Sequence, residues 1–168
     1  MEFKDELAKL FGAEIDLGLI TTPIEESIAT MRRFAAHPET PNTVLKFLAN
    51  HHSQSVVERV AENENASTET LMMLASHPSS GVRCALADNA GLSAEVIEVL
   101  VQDDCPDVRY RLAENYSLPR QIIETLAGDQ NPYVANRAQQ TLQRQSKKAR
   151  VIGESGPWVK RNRKAASA

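Results

Sequence analysis

Cysteine, aromatic residues and long apolar runs are all scarce in this chain. Two cysteines in 168 residues, Cys84 and Cys105, make neither a disulfide framework nor a metal quartet. They read as reduced structural thiols, and the expected location is cytoplasmic. Aromatics are 5 % of the residues, so a core has to be built from Ala, Val and Leu. Such a core suits short helices packed close together. No stretch approaches the roughly 18 apolar residues that a membrane helix requires. The opening MEFKDELAKL has early acids and no apolar centre, which does not fit a secretory signal. G-x-G-x-x-G, P-loop, H-E-x-x-H and G-x-S-x-G signatures are also missing. No Ser or Cys nucleophile shares a local motif with His37, His51, His52 or His77. The expectation is a protein that is not an enzyme and needs no cofactor or metal.

What is present is a period of 26 residues, without insertion or deletion. Val56, Val82, Val108 and Val134 are spaced by it. So are Ala35, Ala61, Ala87 and Ala113, and Leu48, Leu74, Leu100 and Leu126. Periods of 20–50 residues mark stacked repeat arrays. Four full repeats are expected at 30–55, 56–81, 82–107 and 108–133, with a partial fifth at 134–142 that fades after Leu142. In each, a first element of about eight residues, such as Val82 to Asn89, precedes a second. The second begins at Pro41, Ser67, Ser93 or Pro119, where Ser can cap and Pro fits a first turn. Val96, Ile97, Leu100 and Val101 give the second element a helical rather than a strand period. Both elements are too short to persist alone, since about 12–15 residues is already marginal. The expected fold is therefore all-α: an α-solenoid of about four two-helix repeats.

Residues 1–29 are expected to form an N-terminal cap, because an end repeat leaves a face uncovered. Phe3, Leu7, Leu10 and Phe11 share one helical face. Thr22-Pro23-Ile24-Glu25 reads as the start of a second capping helix that runs to about Ala36.

Val108-Arg109-Tyr110-Arg111-Leu112-Ala113-Glu114-Asn115 and Val82-Arg83-Cys84-Ala85-Leu86-Ala87-Asp88-Asn89 carry a resemblance. With Leu118-Pro119 opening a second helix, the motif resembles the leucine-rich repeat variant family, a relative of the HEAT-like helical repeats. The match covers about 30–142. The resemblance implies a right-handed superhelix in which a short helix, α or 3₁₀, alternates with an α-helix. A founding member carries an iron–sulfur cluster on an N-terminal cysteine segment. Here no cysteine precedes Cys84, so that role does not transfer. The motif specifies a fold and says little of function.

Arg33, Arg59, Arg111 and Arg137 occupy one repeat position, with Ala85 as the gap. Stacking would set them about 10 Å apart. Such a row could grip an acidic peptide or phosphates, whereas Arg59–Glu62 and Arg111–Glu114 could equally be surface pairs along a helix. His51, His77, Asp103 and Asp129 share another position. The HEAT-like resemblance implies an Asp–Arg row as glue, with Asp103–Arg109 as an example. Metal ligation there is disfavoured, because stacking separates side chains that an ion would need within about 2.2 Å. Asn63, Asn89 and Asn115, with His37, fall where the first helix ends and suit turn capping. Lys46, Phe47, Met72, Met73 and Val99 lie beside the inward Leu positions of the second helices. They fit either adaptable contacts or packing. Tyr110 is a further point where the repeats differ.

Charge is unevenly spread. Residues 1–143 carry a net −10 and residues 144–168 a net +7. The basic segment 143–168, expected to be a flexible tail, holds Lys147, Lys148, Arg150, Lys160, Arg161, Arg163, Lys164 and Trp158. It could bind nucleic acid through phosphate neutralisation and stacking, dock on the acidic body, or stay solvated. The leading expectation is a scaffold for another protein or peptide, with candidate contacts at Arg33, Arg59, Arg111, Arg137, Tyr110, Lys46, Phe47, Met72 and Trp158. The alternative is a nucleic-acid-binding repeat protein that uses the basic segment and the arginine row. No membrane partner is expected.

Overall fold

A computed structural model describes the backbone of residues 24–155 and the side chains of residues 28–147. All regular structure in that span is helical. The elements are α1 (Ile24–Ala36), α2 (Asn42–Leu48), α3 (Gln54–Glu62), α4 (Thr68–Ala75), α5 (Ser80–Ala87), α6 (Ala94–Val101), α7 (Pro106–Glu114), α8 (Arg120–Ala127) and α9 (Pro132–Ser155). The starts of α3, α5, α7 and α9 are 26 residues apart, and so are those of α2, α4, α6 and α8. Phe3–Phe11, Thr22 and Pro23, read above as capping elements, lie outside the described residues.

The capping chemistry explains the boundaries. Ser67 and Ser93 have extended backbone and accept the N–H of Thr70 and Val96, the N-cap bond expected of serine. Pro41 and Pro119 take the same cap position rather than the first turn, with no side-chain bond. The first helices start earlier than the Val-Arg motif suggested. Ser53 and Ser79 are the cap residues of α3 and α5, so these helices begin at Gln54 and Ser80, two residues before the expected Val56 and Val82. They are α-helices, which resolves the α-or-3₁₀ alternative.

The described residues divide into two compact units, one ending at Val108 and the other beginning at Arg109. In the first, α3 packs against α1 and α5 against α3, so each first helix meets its counterpart one repeat away. Among the second helices, α4 packs against α6. The positions that define the period form the core: Val56, Val82, Ala35, Ala61, Ala87, Leu48, Leu74 and Leu100 are all buried. In the second unit α8 packs against α9, with Leu112, Ala113, Ile123, Leu126, Val134 and Ala138 buried.

Helix α9 continues past Leu142 to Ser155, where fading structure and a flexible segment were expected. The physical reason is composition, because Gln139-Gln140-Thr141-Leu142-Gln143-Arg144-Gln145 is dominated by good helix formers. Side chains of this helix also reach back into the same unit. Thr141 Oγ1 donates to Ala113 O at 2.6 Å, and Gln145 Nε2 donates to Tyr116 O and Leu118 O at 3.0 Å each. Among the described residues no helix is long and apolar enough to cross a membrane.

Candidate functional site: the exposed row on the second helices

Three sets of residues recur with the repeat, and the structure separates the ones that hold the fold from the ones that face outward. The first set is the asparagines. Asn63 and Asn89 are 5 % and 2 % exposed, far more buried than a turn cap needs to be. Asn63 Nδ2 donates to Ala35 O at 2.8 Å and to His37 O at 2.9 Å. Asn89 Nδ2 donates to Ala61 O at 2.7 Å and to Asn63 O at 3.0 Å. The expected capping bond is present too: each Oδ1 accepts a backbone N–H two residues on, from Asn65 and Gly91. One side chain therefore shapes its own turn and ties it to the turn one repeat earlier. His37 and Asn115 make the same local bond, to Glu39 N and Ser117 N.

The second set sits after the second helices. Asp103 and Asp129 accept the N–H of Cys105 and Asn131 at 2.8 and 2.7 Å. His51 and His77 use Nδ1 in the same way, toward Ser53 N and Ser79 N. Both of these acids are also held by arginine forks from within their own unit. Arg83 Nε and Nη2 hold Asp103 at 2.6 and 2.9 Å, and Arg109 holds Asp129 at 2.6 and 3.0 Å. In both, the acid lies 20 residues after the arginine. Arg83 Nη1 also donates to His77 O, six residues before it, at 2.7 Å. Asp129 is held below its ordinary range by Arg109, and Asp103 raises the Arg83 guanidinium further. His51 is shifted down, first by burial and then by His52, whose ring centroid is 4.2 Å away. These groups are engaged by their own fold, and among the described residues no cluster of three or more metal-ligating side chains occurs.

The third set faces outward. Phe47, Met73 and Val99 occupy one repeat position on α2, α4 and α6 and are 56 %, 42 % and 42 % exposed. Their counterpart in the second unit is Thr125. Met72, one residue earlier and also a candidate contact, is half-buried, so of the two methionines it is Met73 that belongs to the exposed row. Lys46 is exposed and bridges α2 to α4 through Glu69 at 2.9 Å. Glu69 and Glu95 precede Met73 and Val99 by four residues, which places them on the same helix faces. Beside Val99 lies an open groove of about 330 Å³, lined by His77, Arg83, Gln102, Asp103 and Asp104 among others.

Searches against protein-family models, curated proteins and solved structures give no match.

The remaining candidates fall in different places. Arg59 pairs with Glu62 on α3. Arg111 lies 3.9 Å from Glu114 on α7, and Arg137 reaches from α9 to Glu114 at 3.0 Å. Arg33 is exposed in the last turn of α1. Arg59, Arg111 and Arg137 thus sit against carboxylates of their own unit, and the Arg137 side chain is largely covered. Tyr110 is half-buried on α7. Lys147 is exposed on α9, and the backbones of Lys148 and Arg150 continue that helix. Trp158, Lys160, Arg161, Arg163 and Lys164 lie outside the described residues.

Proposed function

We propose that this chain is a right-handed α-solenoid of the leucine-rich repeat variant type and acts as a non-enzymatic scaffold for another protein or peptide. The fold part rests on the 26-residue recurrence of helix starts and on first helices that meet their counterparts one repeat apart. The binding part rests on one observation: Phe47, Met73 and Val99 stand exposed in register on successive second helices. The core positions of the repeat explain stacking and need no such row. Large exposed apolar side chains in a contiguous row mark interaction surfaces, whereas isolated ones do not. Covering the exposed half of each side chain would contribute about 1 kcal/mol apiece. The contacts belong to this row in preference to Arg59, Arg111 and Arg137, whose guanidinium groups already meet carboxylates.

The test is affinity capture from native lysate with wild-type protein, a Phe47→Ser/Met73→Ser double variant and Arg59→Glu. A partner kept by wild type and by Arg59→Glu, and lost by the double variant, is the expected result. A partner indifferent to the double variant removes the row as the binding face.

A further inference from the structure

We infer that the occupant of the Phe47–Met73–Val99 row is a positively charged peptide segment that presents apolar side chains along one edge, with its basic residues gathered toward Val99. This inference rests on the scaffold reading above and adds the chemistry of the ligand. The first unit supplies the sign. Residues 24–108 carry 13 acidic and 5 basic side chains, a net −8. The charge is not uniform along the row. At the Phe47 end the exposed Lys46 is neutralised by Glu69 across α2 and α4. At the Val99 end Glu95, Glu98 and Asp104 are all exposed. Glu95 lies four residues before Val99 on the same face of α6, and Glu98 is adjacent to Val99. Asp104 lines the groove of about 330 Å³ that opens beside Val99.

The carboxylates at this end differ in their engagement. Asp103 is committed to Arg83 through a two-bond fork and accepts a backbone N–H as well. Glu95 is fully solvated and held below the ordinary carboxylate range by its own backbone and by Ser93. It stays ionised under all neutral conditions. An incoming acidic segment would meet repulsion here. A basic segment would meet carboxylates at one end and a neutral, apolar surface at the other. Helix–helix spacing of 8–10 Å sets the interval at which the ligand's apolar groups must recur. Charge of this kind tunes specificity and association more than total affinity. Its signature is therefore a preference between peptides of opposite sign and a dependence on salt.

The probes are two fluorescein-labelled peptides of equal length: one of Leu, Ala and Lys, the other the same order with Glu for Lys. Anisotropy titrations against the full chain should show the Lys peptide binding at least tenfold tighter than the Glu peptide at 50 mM salt. Raising salt to 500 mM, which shortens the screening length from about 14 to about 4 Å, should erase most of that preference. Met73→Ser should weaken the Lys peptide about five- to tenfold. Glu95→Gln/Glu98→Gln/Asp104→Asn should weaken it about tenfold and leave the Glu peptide no worse. Val99→Thr, which copies the exposed Thr125 of the second unit, is the milder variant if Met73→Ser alters the melting curve. Equal binding of both peptides, with both weakened by Met73→Ser, overturns the charge inference and leaves the scaffold reading standing. A Lys peptide insensitive to Met73→Ser and Val99→Thr overturns the location. Binding by neither peptide overturns the inference, and the capture experiment then decides the scaffold reading separately. A dimer in sedimentation that Met73→Ser abolishes would replace the basic peptide with a second copy of this chain.

Discussion

Replacing Asn89 tests the link between repeats at its most buried point. Its amide donates to two carbonyls from earlier in the chain, Ala61 O and Asn63 O, and its Oδ1 accepts Gly91 N at 2.7 Å. Asn89→Ala removes all three bonds. Two of the groups left behind have other relief: Asn63 O still accepts Ala66 N at 3.1 Å, and Gly91 is exposed to water. Most of the deficit falls on the Ala61 carbonyl and on the lost turn. With a buried unsatisfied group at about 1–3 kcal/mol and a net bond at about 1 kcal/mol, the expected loss is about 2–4 kcal/mol. In a chain of this length that lowers Tm by roughly 5–15 °C. Asn89→Asp is the sharper variant because it keeps shape and the Gly91 acceptor. It turns the donor into a third oxygen facing two carbonyls, so its loss should exceed that of Asn89→Ala by at least 1 kcal/mol at neutral pH. The buried carboxyl would have a raised pKa, and the gap should close as pH falls and the acid regains a proton to donate. Circular dichroism melts and urea titrations at pH 7 and pH 5 give both comparisons. Asn89→Asp as stable as Asn89→Ala at pH 7 would refute the donor role.

Four further outcomes are expected. Arg83→Met and Asp103→Asn should each cost about 2–3 kcal/mol in urea unfolding, and the double variant should cost less than their sum, because each single change strands a mostly buried polar partner. His51, shifted below its ordinary value of 6.5, is held neutral by the fold. Its contribution is complete above about pH 6.5 and declines as pH falls toward the folded value, and His51→Asn should flatten that part of the stability profile. Asp129, also depressed, contributes above its ordinary 3.8 and loses that contribution as pH falls through its folded value; Arg109→Met should shift this acid limb upward. Ser93→Ala should lower stability by about 1 kcal/mol, while Val99→Ser on the same helix should change it by no more than about 0.5 kcal/mol.

Much of the helical pattern was legible because the repeat states it several times over. The spacing of Val56, Val82, Val108 and Val134 located the first helices, and Ser67 and Ser93 marked the starts of α4 and α6. What escaped was contact between repeats. Asn63 and Asn89 looked like turn residues because the local half of their bonding is a turn bond; the other half reaches 26–28 residues back. The arginine forks, which reach 20 residues ahead, escaped for the same reason. Comparing repeats would have found them: Arg83 goes with Asp103, Arg109 with Asp129, and Val57 with His77, so the two positions change together. At the candidate site a single residue separates Met72 from Met73. That step is a rotation of about 100° on a helix, enough to move a side chain from half-covered to exposed.

In this protein the periodic positions are read as holding the stack and one exposed row as binding a ligand. Amide chemical-shift mapping of the isotope-labelled chain with the Leu/Ala/Lys peptide tests it most directly. Shifts should concentrate around Phe47, Met73, Glu95 and Val99, with Val56, Val60 and Ala61 of α3 unmoved. Shifts centred on the first helices around Arg59, or spread evenly over the acidic surface, would contradict it.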